Sequence, residues 1–539
     1  MSSAKYSFQN INISECIENS FSEFLEDNNI KYPNLSNNLL EKWNFEEYLD
    51  KKNILPLNLE KEPAIIDLIP KLDEKKVKEL KLVKFFGTIR NVFENQLYIC
   101  AKYDKGSKKY LINKYFENNS KIIKIEDNNL GCQNEIDVLG DRLSLELVPI
   151  IGLNEYFDES NYQINDKSKV IIYDYSNKYS KINQNILVVG VAYEKDDIIV
   201  IHSWKIMENY ESIKICKNYK LYPNIKEQKN AFREKLKKIL LKILKNDELA
   251  SDYLLLFLFS QIFSKLGTKN IGSFPLNVII DSNNDINQCN DIYSNILSIF
   301  KKICLKIKDV KLTTEELNNN MYYPRFDSET EELCSGKLQL SDGTFLLVDE
   351  INMNEGKLVE NGIKNLAALR NLIDFQLLGY EYPYNKIEIN HDIEILVVTH
   401  KTKSILYSPF LTLLPIIPSN ENSDTDVLNE SDFKYIFYYI NYIRYDSYFN
   451  DKFYIKEEIS KAIQNNYIEN NRNFKADDFD LVLKLSRFHA LSYGRNYYTY
   501  DDYEYVVYLE KQRKKRLDDY SKNKVKKWRI ILIIILSSI

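Results

Sequence analysis

The chain has 539 residues, with 73 Lys and Arg against 78 Asp and Glu, a formal net charge of −5 and a pI near 5.8. At 44% hydrophobic and 13% aromatic it can bury sizeable cores, which excludes a disordered tail. Its 28% charged residues, with no apolar run of ~18, exclude a polytopic membrane protein, and the balanced charge excludes a non-specific DNA wrapper, which would be basic.

Residues 8–70 carry scattered helical patterning anchored by Phe21, Phe24, Leu25, Trp43, Phe45, Tyr48 and Leu49, and Pro33, Pro56, Pro63 and Pro70 divide it. Residues 1–70 are therefore predicted to be a small N-terminal helical region. From Leu80 the period becomes strand-like. Lys81–Phe93 and Asn95–Tyr103 are β-rich, and the runs starting at Arg142, Lys169, Asn185 and Ile198 continue the sheet. Several short strands with no strong helix between them predict an OB-fold-like β-barrel over 71–205. Within it, Lys102, Lys105, Lys108 and Lys109 interleave with Tyr103, Tyr110 and Tyr115. On a hairpin that pattern offers base stacking and phosphate contact, so direct nucleic-acid binding is one reading, set against coincidence in a chain with 40 Tyr.

A connecting helical segment follows over 206–248, and Leu249–Leu266 continues the helical tone. Over 249–418, Phe274–Ile280, Thr344–Glu350 and Asp392–Thr399 read as buried strands, with helices at Cys289–Ile307 and Ile363–Leu377. This βαβαβ rhythm predicts a parallel α/β sheet. Pro415, Pro418 and Ser419–Asp426 read as a linker, and 419–520 as a helical domain, helical throughout from Phe433 to Arg516. The overall class is α+β and multidomain.

Residues 521–539 form a basic then apolar tail. From Trp528 it runs 12 residues, roughly 18 Å as a helix against a hydrocarbon core of ~30 Å, so it is too short to span a bilayer. A buried terminal strand or a docking peptide is expected instead. The start lacks the apolar core of a signal peptide. Lys514-Lys515-Arg516 and Lys526-Lys527 match nuclear-import clusters and equally match solvated surface. The seven cysteines form no C-x-x-C pair, which reads as a reduced, intracellular chain. The four histidines show no zinc spacing with them, and His202 and His489 sit in apolar contexts that suit packed histidines.

Phe345-Leu-Leu-Val-Asp349-Glu350 is the strongest chemical signal. Four apolar residues ending in Asp-Glu match the strand that delivers one carboxylate to Mg²⁺ and the next to the attacking water in P-loop ATPases. Polar caps at a strand end give the same pattern. The partner motif decides between them: a phosphate loop needs Gly-rich backbone and a Lys after the first strand. Gly numbers only 14 in this chain, and the segment from Asp281 to Asp291 has neither Gly nor Lys but places Asp281, Asp285 and Asp291 there. No catalytic residue and no cofactor or metal site is therefore expected, with Asp349 and Glu350 retained without a phosphate loop. Thr399 occupies a sensor position and His400 has no triad spacing; both read as strand-end residues.

Several stretches together resemble the mini-chromosome maintenance (MCM) complex-binding protein family. Lys81-Leu-Val-Lys-Phe-Phe-Gly-Thr-Ile-Arg-Asn-Val-Phe is similar to the opening of that family's first barrel, and Leu249-Ala-Ser-Asp-Tyr-Leu-Leu-Leu-Phe-Leu-Phe-Ser to one of its helices. Phe345–Glu350, Gly356-Lys-Leu and Gly362-Ile-Lys-Asn-Leu-Ala-Ala-Leu-Arg-Asn-Leu-Ile resemble its central block, with Tyr382–Thr399 following. The segments starting at Glu458 and Leu485 resemble its C-terminal helices, so the likeness runs from about residue 70 to 517.

The resemblance implies a non-catalytic relative of the MCM helicase subunits. It implies an OB-fold-like front, a degenerate AAA+-like α/β domain of P-loop type, and a helical lid. Its implied partners are MCM helicase subunits, with chromatin association through them and no membrane. Its implied roles are subunit assembly, nuclear supply and unloading during DNA replication, with sister-chromatid cohesion linked, in the nucleus and secondarily the cytoplasm. Asp477 and Asp478 stand where a helicase lid would carry a basic residue. The competing expectations are a single-stranded DNA-binding OB-fold protein and an ATP-dependent helicase subunit.

Overall fold

The computed structural model describes residues 13–30, 42–52 apart from 44, 80–104, 109–115, 137–157, 168–173, 181–195, 198–220, 229–266, 269–280, 286–329, 332–400, 404–417, 430–446, 452–470 and 476–537. The fold is mixed α/β and multidomain. Its two compact units are Met1–Ile150 with Tyr162–Tyr210, and Ile151–Asn161 with Glu211–Ile539.

The first unit holds helices α1 (Ile13–Asp27) and α2 (Phe45–Lys51) and strands β1 (Lys81–Val92), β2 (Gln96–Asp104), β3 (Lys109–Ile112), β4 (Asp137–Pro149), β5 (Ser168–Tyr173), β6 (Asn185–Lys195) and β7 (Ile198–Met207). The sheet runs β1-β6-β7-β5-β4-β2-β3, and a further β1–β4 pairing closes β1, β6, β7, β5 and β4 into a ring. Among the described residues only β5 and β7 pair in parallel, and the other pairings in this sheet are antiparallel. Alternation explains the closure, since strand side chains point to opposite faces with period two. Val83, Phe85, Leu143, Leu145, Leu147, Val170, Ile172, Ile186 and Val188 share one core. The intervening Leu82, Ile171, Tyr173, Val189 and Val191 share a second with Ile17, Phe21, Trp43, Phe45 and Leu49. The N-terminal helices thus cover one outer face of the barrel, which is why Val170–Tyr173 of β5 read as an unbroken apolar run.

The second unit begins with α3 (Tyr210–Lys220), α4 (Lys229–Ile243), α5 (Glu248–Leu258) and the hairpin of β8 (Ser264–Leu266) and β9 (Lys269–Ile271). There follow β10 (Leu276–Ile280), α6 (Ile286–Ile303), β11 (Ile307–Lys311), α7 (Thr314–Asn319), β12 (Arg325–Asp327), β13 (Glu332–Cys334), β14 (Thr344–Asp349), α8 (Glu360–Phe375), β15 (Leu377–Glu381), β16 (Lys386–Asn390), β17 (Ile393–Thr399) and β18 (Thr412–Ile416). Helices α9 (Glu430–Tyr445), α10 (Glu457–Asn470), α11 (Ala476–Ser492) and α12 (Tyr500–Ser537) complete it. The main sheet is β11-β14-β17-β10-β18, parallel throughout, and β13-β12-β15-β16 form a second.

Four expectations change here. The helix expected to reach Ile307 ends at Ile303, and Ile307–Lys311 is instead the edge strand β11. Pro415, expected in a linker, lies in β18, at the sheet's other edge; an edge strand tolerates a residue without an N–H. The helical region expected throughout Phe433–Arg516 is, among the described residues, four helices with breaks. One break is a Schellman turn, in which Gly494 (φ +64) gives its N–H to Leu491 O and Arg495 reaches Ala490 O. The tail, for which a buried strand is one expectation, continues α12 as helix to Ser537. Among the described residues no helix is long and apolar enough to cross a membrane. Pro418 and Ser419–Asp426 lie outside the described residues.

Candidate functional site at the acidic strand end

β14 is buried over all six residues, between β11 and β17. A parallel strand covered on both faces needs a continuous apolar run, and Phe345–Val348 supplies it. The run ends on Asp349 and Glu350, each 3% exposed. Asp349 Oδ1 accepts from the Ile351 N–H at 2.9 Å. Burial holds its carboxyl above the usual range, opposed by that hydrogen bond and by Lys311. Glu350 Oε1 accepts from the Ile405 N–H at 2.7 Å, and Oε2 from the Ser404 hydroxyl.

This geometry gives the acid at the strand end a structural task. Glu350 spends an oxygen on each of two protein donors, which fastens the 404–406 turn to the strand end. Tyr293 of α6 is buried beside Asp349; burial, then the charge of Asp349, holds its phenol above its ordinary value. Asn352 Nδ2 donates to Asn290 Oδ1 at 3.0 Å, tying the turn after Asp349 to the first half of α6. Thr399, expected at a sensor position, is buried and its hydroxyl lies 3.3 Å from Asn277 Oδ1. Asp291 is exposed on α6, whereas Asp281 and Asp285 lie outside the described residues. A cleft of about 540 Å³ opens elsewhere, beside the C-terminal half of α6, lined by Tyr156, Ser298, Lys301 and Glu430 among others.

The block after Asp349 has its own structural logic. Asn365 of α8 is fully buried: its Nδ2 donates to Leu317 O and Asn320 O, both at 2.7 Å, and its Oδ1 accepts from Tyr322 N at 3.1 Å. One amide thus satisfies three backbone groups at the end of α7. Gly362 lets the helices approach, because a Cβ there would meet Asn318 Oδ1 at 2.3 Å. Asn365→Ala is expected to lower stability by about 2–3 kcal/mol, since it strands buried backbone groups, and urea unfolding measures it.

Other sequence candidates are absorbed by packing. Tyr115 is 6% exposed and its ring lies 5.4 Å from Trp43 and 5.3 Å from Tyr173, so it is core and no stacking platform. Tyr103 and Tyr110 pair edge-on across β2 and β3 at 5.1 Å. Lys105 and Lys108, and the side chains of Lys102 and Lys109, lie outside the described residues. His202 is buried and stacked between Tyr173 and Tyr193, and His489 is bonded to Asp502 at 2.7 Å. Asp478 pairs with Lys514 at 2.8 Å, and Arg516 with Asp247 at 2.7 Å, so two of the three residues in that basic cluster serve internal pairs.

Sequence reasoning missed an exposed apolar patch. Phe375 at the end of α8 and Phe410 are both about half exposed, with rings 6.1 Å apart, and Tyr407 is 57% exposed. Asn270 donates to Phe375 O at 3.1 Å, which brings the β8–β9 hairpin and its 72% exposed Leu266 alongside. The helical period carried the signal: α8 buries Gly362, Asn365, Leu369, Leu372 and Ile373, which leaves Ile363 and Phe375 outward.

Comparison with known proteins adds the family. Residues 197–517 match the model of a family described as mini-chromosome maintenance replisome factor. The likeness noted at Lys81–Phe93 precedes that match. The chain is similar to mini-chromosome maintenance complex-binding proteins. It is 28% identical to that of Arabidopsis thaliana over 289 residues (53% of this chain, 47% of the relative). It is 29% identical to that of Gallus gallus over 304 (54% and 46%), and 26% identical to that of Homo sapiens over 318 (57% and 48%). The chain spans about half the length of the curated relatives it matches. With more than half of its length matched from the β7 region to α12, the chain belongs to the mini-chromosome maintenance replisome factor family.

Proposed function

We propose that this protein binds MCM helicase subunits without catalysing a reaction, and that it supports their assembly, nuclear supply or unloading in DNA replication. The observation that carries the non-catalytic half is the segment Asp281–Asp291 after β10, which has neither the Gly nor the Lys that a phosphate loop needs. The binding half rests on family membership and on the relatives' name.

Topology supports a helicase-like descent. Numbered along the chain, the parallel sheet has strand order 2-3-4-1-5, with the acidic pair ending its third strand. That suits a degenerate AAA+-like domain over about 249–418 with a lid over 419–520. The five-strand ring, closed by β1–β4 and with one parallel pair, suits an OB-fold. Nuclear residence, chromatin association through MCM subunits and a link to cohesion belong to the same proposal.

The test is recovery of the tagged protein from its own cells with and without ATP. MCM subunits are expected in both samples, and Asp349→Asn should leave their yield unchanged. Recovery of no MCM subunit, or tight ATP binding lost in Asp349→Asn, overturns the reading.

A further inference from the structure

The turn that Glu350 fastens carries exposed aromatic side chains on an ordered frame. Ser404–Leu411 follows β17 and buries Leu406 and Leu411. Glu350 takes the Ile405 N–H at 2.7 Å and the Ser404 hydroxyl, and Ser404 Oγ accepts from the Leu406 N–H at 2.9 Å. Helix α8 adds two ties: Arg370 Nη2 donates to Ile405 O, and Asp374 accepts from the Ser408 hydroxyl. The Phe410 N–H closes on Ser408 Oγ at 3.1 Å, and the Tyr407 and Leu411 N–H groups on Ser404 O and Ser408 O at 3.2 and 3.3 Å. The backbone under Tyr407 and Phe410 is thus fixed while their rings face solvent. Ordering an exposed loop is a cost that binding ordinarily carries, and this frame removes most of it.

Shape and charge narrow what this surface takes. The Phe375 and Phe410 rings meet edge-on, 6.1 Å apart at 61°. Such a pair leaves an apolar notch and no parallel faces at the spacing of stacked bases, so it suits an apolar side chain better than a nucleobase. Asn270, which donates to Phe375 O, stands cross-strand from Lys265, so those two side chains share one face of the β8–β9 hairpin. The three segments that meet here, 264–271, 370–375 and 400–411, carry Lys265, Lys269, Arg370, Lys401 and Lys403 against the single acid Asp374. The chain as a whole has a net charge of −5, so this excess of cations is local. An apolar centre with a cationic rim complements a partner surface that is apolar and flanked by carboxylates.

We propose that the Phe375–Phe410 notch, with Tyr407 of the same turn, docks an apolar side chain flanked by acidic residues on an MCM helicase subunit. This rests on the MCM-binding reading above and adds the surface that does the binding. Exposed aromatic anchors on a rigid frame are the side chains that dominate protein interfaces, and the lysines around them steer an acidic partner. Glu350 then serves binding from a distance. It touches no partner, but it holds the turn that presents the rings.

The test is quantitative recovery of MCM subunits with the tagged full chain from its own cells, for wild type and variants whose thermal unfolding matches it. Phe410→Ser should lower recovery about tenfold, the loss of one interface anchor. If Phe410→Ser does not fold, Tyr407→Ser replaces it. Lys265→Glu should also lower recovery, and its gap from wild type should narrow as salt rises from about 0.1 to 1 M. Tyr384→Ser removes a fully exposed ring on the β15–β16 turn and should leave recovery unchanged. Full recovery with a folded Phe410→Ser or its replacement overturns this surface and leaves the MCM-binding reading standing. Recovery of no MCM subunit with wild type overturns that reading itself, and this proposal with it. Binding of a fluorescent oligothymidylate that is lost in Phe410→Ser, with MCM recovery intact, assigns the patch to nucleic acid and likewise overturns the proposal.

Discussion

Replacing Asp502 with alanine lowers stability by about 3–5 kcal/mol, the range for stripping the central partner from a buried charge network. Asp502 is 1% exposed and stands three residues into the start of α12. Its carboxylate takes Arg495 through two hydrogen bonds at 2.7 and 2.9 Å, and His489 Nδ1 at 2.7 Å. It also takes the Thr499 N–H at 2.9 Å and the Thr499 hydroxyl at 2.6 Å. The Thr499 contacts form a capping box, with the cap hydroxyl facing the Asp502 N–H at 3.4 Å. One carboxylate thus starts α12, orients the end of α11 and fixes the turn between them.

Alanine leaves Arg495 and His489 facing each other without the anion. Asparagine keeps one acceptor and should cost clearly less, which separates charge from shape. Burial alone would raise the Asp502 value, but His489, Arg495 and Thr499 outweigh it and hold the carboxyl at about 2. A depressed folded value contributes stability that is complete above the ordinary 3.8 and is lost as pH falls through about 2. Denaturant unfolding of wild type and Asp502→Ala should therefore converge in strong acid. A constant gap down to about pH 2 would assign the loss to packing instead.

The same contacts explain what was legible in the sequence. The Leu485–Gly494 block places Ser486, His489 and Gly494 where an i−4 hydroxyl bond, the Asp502 contact and a left-handed helix end are needed. The Gly362–Ile373 block fixes a close approach and a buried amide that serves three backbone groups. Barrel strands were readable because period-two alternation survives between an inner core and a helix-covered outer face. β11 was not, because Ile307-Lys-Asp-Val-Lys has two apolar residues and an edge strand needs little more. Glu350 was visible as a strand-end acid, but its role was not, since its partners lie 54 and 55 residues later in the chain. Tyr115 misled for a related reason: it ends a Lys- and Tyr-rich stretch in the sequence, and its neighbours in space are Trp43, Phe45 and Tyr173.

Asp247→Ala is expected to cost about as much as Asp502→Ala, roughly 3–5 kcal/mol, because three separate segments meet on that side chain. Asp247 caps α5 by accepting from Ala250 N at 3.1 Å, accepts from Ile417 N at 2.9 Å, and binds Arg516 Nη1 at 2.7 and 2.9 Å. Arg516 then donates to Pro415 O at 3.2 Å, and Arg513, held by Glu510, donates to Leu413 O at 3.1 Å. Leu413 and Pro415 are alternate residues of β18, so α12 covers the unpaired carbonyls on the outer side of that edge strand. Exposed strand edges recruit other chains, and covering them is a general protection. Asp247→Asn keeps a competent cap and should cost less, so the difference measures the Arg516 pair. In a double-mutant cycle with Arg516→Ala the two losses should fall short of additivity by about 1–3 kcal/mol. Asp247→Ala should also raise self-association in size-exclusion chromatography, since losing Asp247 frees the arginine that shields Pro415. Additive losses with an unchanged elution position would mean that α12 is held by its apolar face and Arg513 alone.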